Sequence, residues 1–172
     1  MTLLDRVVAL LDSGGISHAI IGGVALAAAG VARSTLDVDL LTTAGDVLDQ
    51  RFWEPLAGSA VVIDVRKGDG ADPLAGLVRF ESVGERPVDL VVGKLAWQAR
   101  AVARATRPSE GPAVVLPRDL VLLKLYAGGA QDLWDINELL HTVDAASLIA
   151  QVEADLDDLP PWMRERWTSI RT

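Results

Sequence analysis

The chain contains no cysteine, which excludes a disulfide framework and any thiolate metal site. It also lacks a run of about 18 apolar residues, the minimum for a membrane-spanning helix. Its first residues lack the charged-then-apolar pattern of a signal peptide. These absences predict a cytoplasmic protein that has no membrane contact.

Positive charge is scarce as well, with 16 Lys and Arg against 24 Asp and Glu, a net charge of −8. This balance argues against a uniformly basic nucleic-acid surface. One basic strip remains, because Arg100, Arg104 and Arg107 share a helical face. It is either a polynucleotide contact or, more simply, a solvent-facing stripe.

Half of the residues are hydrophobic, and 172 residues suffice for one domain with a core. Apolar periodicity divides the chain into an α/β core over residues 1–116 and a helical region over 117–172 that packs on it. In the core, strands alternate with helices and also form a hairpin near residue 85, which predicts an α/β (α+β) fold with a mixed sheet flanked by helices. The predicted strands cover 18–21, 37–41, 60–65, 77–83, 87–92 and 113–116, and the predicted helices 3–11, 24–29, 46–56 and 94–106.

Gly22 and Gly23 stand between a short apolar strand and an Ala-rich helix. The N-terminus of a helix exposes unpaired N–H groups and a partial positive charge, and glycine lets a phosphate approach the backbone. The pair therefore predicts a nucleotide triphosphate site, with a ligand-free tight turn as the alternative.

Asp37 and Asp39 alternate along an apolar strand, so that both side chains point to one face. Two adjacent carboxylates repel each other unless a cation lies between them. Asp89 is a third acid inside an apolar strand and would complete a site for Mg²⁺ or Mn²⁺, which prefer oxygen ligands. Asp64 is a rival for this third position, and a salt bridge or strand-edge role is the alternative for each acid.

The order of Gly22-Gly23, Asp37-Val38-Asp39 and Asp89 resembles the nucleotidyltransferase superfamily of the DNA polymerase β type. The resemblance implies the nucleotidyltransferase fold, with the three acids as catalytic metal ligands and the glycines at the nucleotide. Gly23 departs from the pattern, because many active members have Ser there.

A second resemblance is to nucleotidyltransferase-like proteins of the abortive-infection AbiE toxin type. It is carried by Gly30 to Asp37 and by two segments of the helical half, Pro117 to Gly128 and Gln131 to Ile136. In that group a Lys and an Asp about eight residues later belong to the active site, and these match Lys124 and Asp132.

Lys124 would neutralise phosphate charge in the transition state. Arg33, Ser34 and Thr35 would contact the nucleotide through a guanidinium and hydroxyls, although a solvated loop is the alternative. Asp132 and Asp135 also fit acids that the helix dipole favours in a first turn.

Together these features predict a Mg²⁺-dependent transfer of NMP from an NTP to an acceptor hydroxyl. The toxin resemblance implies a tRNA 3′ end or a protein as acceptor, and a cognate antitoxin as partner. The alternatives are a non-catalytic binding or antitoxin-like protein with this fold, and a small-molecule transferase of the aminoglycoside type.

Overall fold

The structure is a computed structural model, and it describes residues 1–58, 60–142 and 144–171. The strands are β1 (Ala19–Ile21), β2 (Val38–Thr42), β3 (Val61–Lys67), β4 (Gly76–Ser82) and β5 (Val88–Val92). The α-helices are α1 (Leu3–Ser13), α2 (Gly22–Ala28), α3 (Glu54–Ala57), α4 (Ala96–Arg104), α5 (Pro117–Ala127), α6 (Ala130–Thr142), α7 (Ala145–Leu156) and α8 (Pro161–Arg171). None of these described helices combines the length and the hydropathy that crossing a membrane requires.

The five strands form one mixed sheet in the order β1-β2-β5-β4-β3. Strands β2 and β5 run parallel, and the other neighbouring pairs run antiparallel. The predicted mixed sheet flanked by helices is therefore confirmed, including the hairpin of β4 and β5.

The register of three neighbouring strands brings the sequence motifs to one edge of the sheet. Asp39 lies beside Ile21, the last residue of β1, and beside Asp89 at the start of β5. Because β2 and β5 are parallel, their acids lie at the same level, next to the turn where β1 becomes α2.

Two predicted elements are wrong in detail. The helix expected over 46–56 is instead a pair of 3₁₀ turns, Gly45–Leu48 and Gln50–Trp53, followed by the short α3. The backbone of Asp49 is extended, and its carboxylate accepts from the Arg51 N–H, so it starts a new turn and ends helical continuity. The strand expected over 113–116 is reduced to isolated bridges made by Val114.

Helix α5 joins the helical half to the sheet half. Its apolar residues, including Leu120 and Leu125, are fully buried in the same hydrophobic core as Leu26 of α2 and Leu90 of β5. Helices α6, α7 and α8 pack around α5. The division of the chain into a core over residues 1–116 and a helical region over 117–172 packed on it stays a prediction.

Candidate active site

Gly22 occupies a turn that only glycine can form. Its φ of +64° lies in the left-handed region, and a Cβ at this position would lie 2.0 Å from Oδ2 of Asp39. Helix α2 begins at Gly22 itself, earlier than expected. The glycine therefore allows the first turn of α2 to pass directly over the Asp39 carboxylate.

Gly23 is closed in by Thr35. A Cβ at Gly23 would meet the Cβ and Cγ2 atoms of Thr35 at 2.8 and 2.9 Å. The Thr35 hydroxyl donates to Oδ1 of Asp37 at 2.8 Å and to its main-chain oxygen at 3.0 Å. Thr35 thus fills the space that a serine side chain at position 23 would need. Its hydroxyl also fixes the carboxylate of Asp37, a predicted metal ligand.

Asp37, Asp39 and Asp89 form an acidic triad. One oxygen from each carboxylate can be chosen so that all lie within 4.8 Å of one another. Burial, together with repulsion from Asp37 and Asp89, raises the pKa of Asp39 to about 6. Burial also raises the pKa of Asp89, against the opposing effect of Arg79. The triad is therefore short of positive charge, the state that a bound divalent cation would relieve.

Arg79 is the cation in contact with the triad. From β4 it donates to Asp89 at 2.9 Å and to Glu81 at 2.8 Å. The rival acid, Asp64, lies on the far side of Arg79 in the sheet register and pairs with Arg66 at 2.6 Å. The structure thus brings Asp89, and not Asp64, to the other two acids.

A second cluster surrounds Asp135, whose side chain is fully buried. Asp135 accepts from Lys124 Nζ at 2.5 Å and from Arg33 at 2.6 Å, and Gln131 Nε2 donates to it at 3.1 Å. Lys124 also contacts Asp132 at 3.1 Å. We call Arg33 and Lys124 the basic pair; both are held in place by one carboxylate.

The basic pair is electrostatically coupled to the acidic triad. The charges of Lys124 and Arg33 oppose the rise in the pKa of Asp39, although burial and the two acids outweigh them. The structure therefore gathers the predicted residues of both halves of the chain at one edge of the sheet. Ser34 is exposed and lines a cavity beside Arg33.

Sequence reasoning missed the parts played by Asp135 and Arg79. Asp135 had been interpreted only as a first-turn helix acid. The available signal was its spacing of three residues from Asp132, which puts both carboxylates on one helical face. Arg79 had no such signal, because only the pairing of β4 with β5 brings it to Asp89.

The predicted basic strip is wrong for Arg107, because α4 ends at Arg104, and each of its three arginines lies near an acid. Arg104 pairs with Asp119 and Asp155, while Arg100 pairs with Asp158 and Arg107 with Asp12. The strip therefore offers little uncompensated positive charge to a polynucleotide.

No family model matches the sequence, and no curated protein matches it. The fold, however, is similar to solved structures. A crystal structure of ANT(2'')-Ia, an aminoglycoside nucleotidyltransferase, in complex with adenylyl-2''-tobramycin aligns with a TM-score of 0.56 at 15% identity, covering 96% of this chain and 97% of that one. The chain has the nucleotidyltransferase fold.

A solution structure of the same antibiotic-resistance factor also aligns with a TM-score of 0.56, at 14% identity, covering 98% of this chain and 93% of that one. The aligned part of the chain thus includes both the sheet and the helical region. At this level of identity it describes the fold, and the chemistry rests on the residues of this chain.

Proposed function

We propose that this chain is a divalent-metal-dependent nucleotidyltransferase that moves NMP from an NTP to an acceptor hydroxyl. The observation that supports this proposal most directly is the acidic triad, whose three carboxylates converge within 4.8 Å beside the Gly22 turn. Carboxylate oxygens are the ligands that Mg²⁺ and Mn²⁺ prefer, and a bound cation would oppose the burial and repulsion that raise the pKa of Asp39.

Each residue group has a distinct task in this proposal. Asp37, Asp39 and Asp89 would hold the metal, which when bound supplies charge neutralisation and activates the acceptor hydroxyl. Arg33 and Lys124 neutralise the triphosphate, since phosphoryl transfer depends mainly on positioning and electrostatic stabilisation. Asp132 and Asp135 orient Lys124. The Gly22-Gly23 turn lets Asp39 and Thr35 pack against the backbone, and the N–H groups at the start of α2 would face the phosphates.

The test is Mg²⁺-dependent pyrophosphate release from each of the four NTPs, with wild type compared with Asp39→Asn. Asp64→Asn is the matched control, because Asp64 is an acid of the same sheet that lies outside the triad. The proposal expects release by the wild type and the control only. Absence of metal-dependent NTP binding in the wild type would favour the non-catalytic binding or antitoxin-like alternative.

For the acceptor, we favour a cationic small molecule that carries hydroxyl groups, of the aminoglycoside type. Two observations support this choice: the net charge of −8 and the pairing of Arg100, Arg104 and Arg107 with acids. The fold likeness to ANT(2'')-Ia is consistent with it. The AbiE-type resemblance favours a tRNA 3′ end as acceptor and a cognate antitoxin as partner, and a protein hydroxyl is a further candidate acceptor.

These acceptors are distinguished by offering radiolabelled NTP to the enzyme with each class in turn. Label transferred to an aminoglycoside, and not to tRNA or protein, supports the small-molecule acceptor. Label transferred to tRNA or protein supports the toxin-type activity.

A further inference from the structure

Trp134 is unusually exposed for a tryptophan so close to a buried charge cluster. Its relative exposure is 48%, and its neighbour Asp135 is fully buried. Trp134 lines a cavity of about 440 Å³ together with Ala32, Arg33, Ser34 and Gln131. A large indole beside an open cavity, with polar groups around it, is a candidate contact for a planar ligand.

The polar groups of this cavity are fixed before any ligand arrives. Gln131 Nε2 donates to Asp135, and the Arg33 guanidinium is bound to the same carboxylate. Because Nε2 is the atom of the Gln131 amide that donates to Asp135, the Oε1 atom of the same amide can accept a hydrogen bond from a ligand. Because both side chains are held by one buried group, little ordering entropy is lost on binding.

The cavity adjoins the proposed phosphate turn through the chain itself. Ser34 lines the cavity, and the next residue, Thr35, packs on Gly23 and hydrogen-bonds to Asp37. Consecutive Cα atoms are about 3.8 Å apart. The cavity and the Gly23 turn are therefore joined by two consecutive residues, Ser34 and Thr35.

We propose that this cavity is the nucleobase subsite, in which Trp134 stacks on the purine base of the NTP and Gln131 Oε1 accepts an N–H from its edge. The assignment rests on the proposed function. Adenine and guanine both offer N–H donors on the edge, and their two-ring faces give more stacking area than a pyrimidine. Continuity with the phosphate turn favours the base of the NTP over the acceptor as the occupant.

The test measures the binding of two probes in the presence of Mg²⁺: a non-transferable α,β-methylene ATP and base-free tripolyphosphate. Trp134→Ala should weaken binding of the ATP analogue about tenfold, a typical loss for one base–aromatic stack, and leave tripolyphosphate binding unchanged. Trp134→Phe should retain most of the affinity. Trp162→Ala is the matched control, because Trp162 is 39% exposed but contacts Tyr126 and Arg166.

Four results would overturn the subsite. In Trp134→Ala, equal losses for both probes would indicate a merely structural role. Unchanged binding of the analogue with a raised KM for the acceptor would assign Trp134 to the acceptor. A wild type that binds tripolyphosphate as tightly as the ATP analogue would have no base subsite. A wild type that binds neither probe contradicts the proposed function itself, and the subsite with it.

Discussion

The acidic triad and the cluster around Asp135 lie at the same edge of the molecule but differ in how their charges are balanced. In the triad, three carboxylates converge, and among the described residues Arg79 is the cationic side chain paired with one of them, Asp89. Burial and repulsion from the other two acids raise the pKa of Asp39 to about 6. Around Asp135, one buried carboxylate is matched by Arg33, Lys124 and the Gln131 amide.

This difference in charge balance distinguishes a candidate binding site from a cluster that holds its neighbours in place. A buried charge is tolerated when it is paired and hydrogen-bonded, as Asp135 is. Convergent carboxylates without sufficient counter-charge cost stability, and such sites are arranged for a ligand that supplies the charge. Under the proposed function, the triad would bind the metal and Asp135 would position the basic pair.

The largest expected effect comes from Asp39→Asn. Loss of a central metal ligand should lower the rate of pyrophosphate release roughly 10³-fold. Without metal, the same change should raise the free energy of unfolding by about 2 kcal/mol, because one repelling charge is removed from the triad. Activity assays and chemical denaturation in EDTA measure the two effects. A variant that loses both activity and stability would contradict the assignment of Asp39 as an uncompensated ligand.

Asp135→Asn should lower the free energy of unfolding, the opposite of the effect expected for Asp39→Asn without metal. It leaves Lys124 and Arg33 partly buried without their shared negative partner, which should cost about 4 kcal/mol of unfolding free energy. Asp132→Asn is the control, because Asp132 is partly exposed and is the more distant partner of Lys124, so about 1 kcal/mol is expected. Equal losses of unfolding free energy in the two variants would show that Asp135 is not the residue that holds the basic pair in place.

Gly22→Ala tests the close approach of the α2 turn to the triad. We expect a loss of about 3 kcal/mol, because the positive φ is unfavourable and the new Cβ collides with the Asp39 carboxylate. Gly15→Ala isolates the backbone contribution, since Gly15 has a φ of +67° with nothing within 4 Å of an added Cβ. It should cost about 1 kcal/mol. Thermal unfolding compares the two, and equal costs would exclude a steric contact at Gly22.

The smallest expected effect is on the pH dependence of stability. The pKa of Asp39 is raised in the folded state, from 3.8 to about 6, so the folded protein holds a proton that the unfolded chain releases. The stability contributed by this group is therefore present below about pH 4 and is lost as the pH rises through about 6.

In EDTA, the wild type should lose roughly 2 kcal/mol more unfolding free energy than Asp39→Asn between about pH 4 and pH 7. Mg²⁺ should diminish it at the upper end, because the cation favours the charged carboxylates. A pH dependence identical in the two proteins would show that Asp39 is not the titrating group.

The sequence was sufficient to locate Gly22, Asp37, Asp39 and Asp89, because each is polar or conformationally special within an apolar run. The mixed sheet was also predictable from the order of strands and helices. The cluster around Asp135 was not, because Arg33 and Asp135 are 102 residues apart and meet only when α6 docks beside the loop after α2. Local apolar periodicity also overstated the helix at 46–56, where Asp49 caps a new turn.

The most direct test of the acidic triad is the number of Mn²⁺ ions that the protein binds with α,β-methylene ATP, measured by electron paramagnetic resonance. The triad account predicts saturable, nucleotide-dependent Mn²⁺ binding in the wild type and in Asp64→Asn, and its loss in Asp39→Asn. Mn²⁺ binding in Asp39→Asn that equals the wild type would contradict the assignment of the triad as the metal centre.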